Sequence, residues 1–285
     1  MDLKTLETKF VNELVFLYQE DEIKAMFLIA LEHYLNINRA SYILKKHTEI
    51  DISDLTIFEQ LLTQLKNGKP IQYIIGETNF YGLTFKVNPS VLIPRPETEE
   101  LVAWILEKTV HQQPKNLLDI GTGSGCIPIS LKKNLRHAEI YAIDISADAL
   151  KTAKQNAALN NVEVNFMQAD ILNWENLVVA KQFDVIVSNP PYITESEKLD
   201  MHQNVLANEP HLALFVSNDN PLSFYEAIAN FAIKNLAKDG LLFFEINEYL
   251  GEQTVSLLED KMFKNIELRK DMQGKDRMIC CENPN

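Results

Sequence analysis

Apolar residues recur at helical spacing through the first seventy positions. Leu3, Leu6, Phe10, Leu14 and Leu17 form one stripe, and Ile23, Phe27, Ala30 and Tyr34 form a second. A third helix is predicted over Asp54–Asn67. Asp54 would cap it, Phe58, Leu61, Leu62 and Leu65 would form its inner face, and Gly68 would end it. Residues 1–70 therefore read as a small helical bundle. They carry no constellation of chemistry-bearing side chains, which suits a docking or packing module. At Pro70 the texture changes. Ile71–Ile75 and Asn79–Val87 are rich in strand formers and flank Gly76-Glu-Thr, which predicts a β-hairpin in a linking segment, residues 71–94. Pro96 then suits the first position of a helix, and the acidic residues after it suit the positive end of the helix dipole.

After Lys115 the period alternates between strand and helix. Strands are predicted at Asn116–Ile120, Glu139–Ile145, Val162–Met167, Phe183–Ser188 and Leu241–Ile246. Helices are predicted at Cys126–Leu135, Ala147–Leu159 and Leu222–Leu236. Such alternation implies an α/β fold, a doubly wound and mostly parallel sheet, over residues 95–285. Two closing strands, around Ile266–Leu268 and Met278–Cys281, are joined by Gln273-Gly-Lys-Asp and would add one antiparallel strand.

Composition narrows the function classes. With 46% hydrophobic and 24% charged residues, the 285-residue chain is ordinary for a globular protein. Its formal net charge of −13 repels a phosphate backbone, so direct nucleic-acid binding is not expected, while a basic protein partner would be attracted. Cys126, Cys280 and Cys281 form no C-x-x-C pair, so neither a disulfide framework nor a metal site is expected. Cys280 and Cys281, neighbours on a strand, would face opposite sides. The six histidines are scattered and read as surface or packing residues. No apolar run is long enough for a bilayer, and the charged start does not resemble a signal peptide; the expected address is the cytoplasm.

Two segments carry chemistry. Leu117-Leu-Asp-Ile-Gly-Thr-Gly-Ser-Gly-Cys follows a strand and opens a helix. Gly121, Gly123 and Gly125, with Thr122 and Ser124 between them, permit a sharp turn and close backbone approach to a ligand. The G-x-G-x-G spacing departs from the dinucleotide fingerprint. Asp119, at the strand end, suits an ammonium or sulfonium group better than a diphosphate. Asp144 ends the next strand and can accept hydrogen bonds from both hydroxyls of a ribose. Asp170 ends the third and can accept from an adenine amino group, beside the backbone amide of Ile171.

The second segment is Ser188-Asn-Pro-Pro-Tyr-Ile, after the fourth strand. Pro190 and Pro191 stop the ladder and stiffen the loop. An amide or aromatic amino nitrogen is a poor nucleophile because its lone pair is delocalised. The Asn189 side-chain oxygen and the Pro190 carbonyl can each accept one N–H hydrogen and aim the nitrogen at a methyl donor, while Tyr192 can stack on the planar group.

Asn-Pro-Pro-Tyr with Asp-Ile-Gly-Thr-Gly-Ser-Gly occurs in several amino methyltransferases. The longer context is narrower. Gly68-Lys-Pro-Ile-Gln-Tyr-Ile-Ile-Gly, Phe80-Tyr-Gly-Leu, Val91-Leu-Ile-Pro-Arg-Pro-Glu-Thr-Glu-Glu-Leu and Asp271-Met-Gln-Gly-Lys-Asp-Arg resemble the release-factor glutamine methyltransferases, the HemK or PrmC type, over almost the whole chain. The resemblance implies a sheet of the class I S-adenosylmethionine methyltransferase type. It also implies N5-methylation of the glutamine in the Gly-Gly-Gln motif of class I peptide-chain release factors, with S-adenosyl-L-homocysteine as product. Cofactor contacts are implied at Gly121–Gly125, Asp144, Asp170, Ile171 and Asn189, and glutamine contacts at Asn189, Pro190, Pro191 and Tyr192. Relatives often carry Trp where this chain has Ile171, which leaves that position its backbone contact alone. The N-terminal helices are implied to help engage the release factor. Alternatives are a ribosomal-protein glutamine methyltransferase and a nucleic-acid amino methyltransferase using the same tetrapeptide.

Overall fold

The computed structural model describes residues 1–177, 181–201 and 203–284; one of the six histidines, His202, lies outside them. The chain divides into two compact units. The first holds α1 (Leu3–Leu14), α2 (Glu20–Leu35), α3 (Arg39–Lys45), α4 (Ile52–Lys66) and α5 (Ile71–Ile75). Its core stacks Phe10, Phe27 and Phe58, with ring centroids 5.2–6.1 Å apart, among Leu6, Leu14, Leu61 and Leu65. Asp2 caps α1 by accepting from the Thr5 amide at 2.8 Å, and Asn38 caps α3 from the Ser41 amide at 2.9 Å.

Two expectations here give way. Helix α4 starts at Ile52, with Asp51 at the N-cap, so Asp54 sits inside the first turn, where its charge still favours the dipole. Ile71–Ile75 is not a strand. Pro70 accepts from the Tyr73 and Ile74 amides, and Gly76, at φ 79°, closes the turn on the Gln72 carbonyl. The caps bend the chain into a helix that puts Ile71 in the bundle core, against the strand preference of its isoleucines. The hairpin is therefore shorter and later: β1 (Glu77–Phe80) pairs antiparallel with β2 (Leu83–Lys86), and both belong to the second unit. A later stretch of chain also joins the first unit. In α9 (Gln203–Asn208), Asn204 donates to the Tyr18 hydroxyl at 2.9 Å and Asn208 to the Gly68 carbonyl at 3.0 Å.

The second unit continues with α6 (Pro96–Thr109), β3 (Asn116–Ile120), α7 (Cys126–Asn134), β4 (Glu139–Asp144), α8 (Ala147–Leu159), β5 (Asn165–Gln168), β6 (Phe183–Ser188) and β7 (Ile193–Thr194). After α9 come β8 (Phe215–Val216), α10 (Ser223–Asn235), β9 (Leu236–Glu245), α11 (Gly251–Asp260), β10 (Lys264–Lys270) and β11 (Asp276–Glu282). Among the described residues, seven strands form one sheet in the order β10-β11-β9-β6-β3-β4-β5. Pairing is parallel from β9 to β5, and β11 runs antiparallel to both its neighbours.

The period-2 alternation sorts side chains between two cores. Val185, Val187, Phe243, Met278 and Cys280 enter one face, while Ile186, Leu242, Phe244, Ile279 and Cys281 enter the other. Cys280 and Cys281 thus face opposite sides, and all three cysteines are buried and free. The glycine loop packs without slack: a Cβ on Gly125, at φ 81°, would sit 3.0 Å from Ile129 Cδ1 and 3.1 Å from Ala153 Cβ. Only glycine lets α7 start this close to α8.

Candidate functional site

The sheet reverses its winding at β3, which lies between β4 and β6. In open α/β sheets the crevice at such a point, outside the carboxyl ends of the strands, is where ligands bind. Register decides what gathers there. Ile120 lies opposite Ile143 of β4 and Ser188 of β6, so the three loops that follow leave the sheet at one level. The Gly121 and Thr122 amides both donate to the Ile143 carbonyl, at 2.9 and 3.0 Å, and Ser188 Oγ donates to the Ile120 carbonyl at 2.7 Å.

A cavity of about 330 Å³ opens above these ends. Its walls include Gly121, Thr122, Gly123, Ser124, Asp144, Asp170, Ile171, Asn189, Pro190 and Pro191, so nearly every residue singled out from the sequence meets on one surface. Gly125 lies beneath the loop, and neither Asp119 nor Tyr192 is on this wall. The Tyr192 hydroxyl instead donates to Glu245 Oε1 at 3.2 Å, and its ring packs against the core. Burial and the Glu245 charge push this phenol far above its ordinary range.

Asp144 does two jobs. Its Oδ2 accepts from the Gly123 amide at 2.8 Å and its Oδ1 from the Ser146 amide at 2.9 Å, so it fixes the glycine loop as well as facing the cavity. Burial raises its carboxyl above the usual value, and those backbone donors hold it back. Asp170 is a cap: it accepts from the Leu172 amide at 2.9 Å and from Asn173 Nδ2 at 2.6 Å. Each oxygen keeps a second lone pair free, and the residue lines the cavity.

Several side chains that build the site had no local signal. Asn156 of α8 donates to the Ser124 and Lys86 carbonyls and accepts from the Lys86 amide at 2.6 Å, tying the glycine loop to the hairpin. Glu209, buried, accepts from Arg95 Nη2 at 2.5 Å and from the Ile93 amide at 3.2 Å. This joins the segment before α6 to the Pro210–Ala213 stretch, and both line the cavity. Thr98 of α6 donates to Glu245 Oε2 at 2.6 Å and accepts from Asn189 Nδ2 at 3.3 Å.

The donor set fits a ligand with a cationic end. Asp119 is 1% exposed, and neither of its carboxyl oxygens nor the Thr122 hydroxyl has a hydrogen-bond partner among the described residues. A Cβ on Gly123 would meet nothing within 4 Å, and one on Gly121 only the Asn189 carbonyl at 3.9 Å, so the loop leaves open a cradle that side chains would fill. No group of three or more metal-ligating side chains occurs among the described residues, and no described helix is long and apolar enough to cross a membrane.

Comparison with known proteins gives the site its relatives. Residues 98–213 match the family model of the methyltransferase small domain, and residues 17–76 that of the PrmC N-terminal domain. The release factor glutamine methyltransferase of Flavobacterium psychrophilum is 51% identical over 282 residues, covering 98% of each chain. That of Bacteroides thetaiotaomicron is 40% identical, over 92% of this chain and 94% of its own. Among solved structures, the Thermus thermophilus 16S rRNA N2 G1207 methyltransferase, in complex with AdoMet and guanosine, superposes with a TM-score of 0.53 at 20% identity, over 73% of this chain and 49% of that one. At that identity the likeness is one of fold.

Burial pushes the Asp119 carboxyl up to about 7, and the Asp144 charge adds to the shift. The folded state therefore holds a proton that the unfolded chain releases near 3.8, and stability of the ligand-free protein falls as pH rises from there to about 7. Asp119→Asn should remove this part of the decline and stabilise the protein above pH 7, by about 4 kcal/mol at most at about 1.4 kcal/mol per pKa unit. Urea unfolding across that range is the measurement; an unchanged slope would mean that Asp119 carries no such cost.

Proposed function

The chain belongs to the release factor glutamine methyltransferase family, and from that premise we propose that it transfers the methyl group of S-adenosyl-L-methionine to the side-chain amide nitrogen, N5, of the Gly-Gly-Gln glutamine of class I peptide-chain release factors. The observation that carries the reading is the pairing of Ile120 with Ser188, which brings the glycine loop and Asn189-Pro190 to one cavity. The cofactor supplies an electrophilic methyl on a sulfonium and leaves as S-adenosyl-L-homocysteine. No metal is called for. The expected address is the cytoplasm, where release factors work.

In this reading the glycine loop, Asp144, Asp170 and Ile171 hold the cofactor. The Asp119 carboxylate, otherwise unpaired, balances its ammonium end, and Asp144 accepts from the ribose hydroxyls. Asn189 Oδ1 and the Pro190 carbonyl accept the two N–H hydrogens of the target amide and favour the developing positive charge on nitrogen. Tyr192 serves from behind, as a rigid support for the tetrapeptide held by Glu245, rather than as an open stacking platform. The N-terminal helices serve to dock the body of the release factor, and the net charge of −13 favours a protein substrate over nucleic acid.

A methyl-transfer assay should be run with release factors, ribosomal proteins and RNA side by side. Label is expected on the release-factor glutamine; label only on ribosomal protein or RNA would replace this reading. A short Gly-Gly-Gln peptide is expected to show a much higher KM than the whole factor, at a similar single-turnover rate. Equal KM values would leave the helical unit without a docking role. Asn189→Ala should lower turnover on the order of 10²–10³-fold while whole-factor affinity barely moves. Normal single-turnover transfer with lost factor binding would make Asn189 a docking residue instead. For Asp144→Ala, calorimetry should register weaker cofactor binding, since charge-assisted hydrogen bonds are worth about 1.5–3 kcal/mol each; unchanged affinity would take Asp144 out of the site.

A further inference from the structure

Glu245, at the end of β9, is 1% exposed, and its carboxylate holds Tyr192 directly and Asn189 through Thr98. Oε1 accepts from the Tyr192 hydroxyl at 3.2 Å. Oε2 accepts from Thr98 Oγ1 at 2.6 Å, and Thr98 Oγ1 accepts in turn from Asn189 Nδ2 at 3.3 Å. A hydroxyl has one hydrogen to give. With that hydrogen committed to the carboxylate, the Thr98 oxygen faces Asn189 only as an acceptor, so the Asn189 NH₂ must turn toward it. The amide oxygen is then free of Thr98, on a residue that lines the cavity. A flipped Asn189 would aim oxygen at oxygen and offer donors to a target that is itself a donor.

We propose that Glu245 and Thr98 are positioning residues that set the direction of the Asn189 amide, so that its oxygen is always the atom presented to the nitrogen being methylated. This rests on the proposed role of Asn189 as acceptor for the target amide. Polarity is handed along the relay by single hydrogens, and each link is the only orientation its neighbour permits.

Three variants test it. Thr98→Ser keeps the relay and should turn over at close to the wild-type rate. Thr98→Val is nearly isosteric and removes it; single-turnover methyl transfer should fall on the order of 10²-fold, the cost of losing one preorganised polar partner. Cofactor affinity by calorimetry and KM for the release factor should stay at wild-type values. Glu245→Gln can meet Thr98 with either its amide oxygen or its NH₂, so the Thr98 hydrogen is no longer committed to position 245 alone, and transfer should fall by less than in Thr98→Val. In the wild type, burial raises the Glu245 carboxyl, opposed by Thr98, Arg277 and Tyr192 and reinforced by Glu97, with Tyr225 and Cys126 also facing it. Transfer should therefore rise with pH as Glu245 deprotonates, with a midpoint above the ordinary Glu value, and this limb should vanish in Glu245→Gln.

An activity-free readout is the Asn189 side-chain amide resonance, which should shift in Thr98→Val and stay put in Thr98→Ser. Wild-type-like transfer by Thr98→Val, or a loss that appears in KM or cofactor affinity instead of rate, would overturn the proposal, as would an unmoved amide resonance. Failure of the wild type to label release factor would overturn the functional reading alone, since the resonance test does not depend on it.

Discussion

The register of β3 between its two parallel neighbours governs where the loops of the site leave the sheet. Ile120 stands opposite both Ile143 and Ser188. Side chains alternate with period two, so a slip of one residue would exchange the faces of the sheet and withdraw Asp144 or Asn189 from the cavity. The register is held by the apolar rows on both faces and by polar bonds at the strand ends. The Ile143 carbonyl accepts from two loop amides, and the Ser188 hydroxyl closes on the Ile120 carbonyl. The same contacts that align the sheet therefore aim the loops.

Around this point the protein buries polar side chains and satisfies nearly all of them near the cavity. Asn156 closes three hydrogen bonds to the backbone of the glycine loop and of β2, Glu209 joins two cavity walls, and Glu245 serves two hydroxyls. A buried polar group costs free energy unless it is paired, so each of these networks specifies one arrangement of the loops and penalises others. Asp119 departs from that rule. Its unpaired carboxyl is a standing cost in the free protein.

Tyr192 shows how one residue type supports different roles. In the sequence its ring reads as a platform for a planar substrate. In the fold its hydroxyl is anchored to Glu245 and its carbonyl accepts from Asn247 Nδ2 at 3.0 Å, so both ends of the residue hold the two prolines in place. The rigid loop follows from this anchoring as much as from the prolines.

Legible from residue order alone were the alternating α/β domain, the helical N-terminal part, the opposite facing of Cys280 and Cys281, and the placing of glycine loop, Asp144, Asp170 and Asn189 at strand ends. All of these are written in short-range periods and in residues with strong local preferences, such as glycine at positive φ and proline at a strand exit. Tertiary structure decided the rest. The helix at Ile71–Ile75 overrides β-propensity because Pro70 and Gly76 cap it and the bundle core takes up Ile71. Helix α3 is only seven residues long and left no periodic trace. Thr98 meets Glu245 across 147 positions, and Arg95 meets Glu209 across 114. A hydrogen bond between distant residues imposes no spacing on the chain, so nothing in the order of amino acids marks its two ends until folding brings them together.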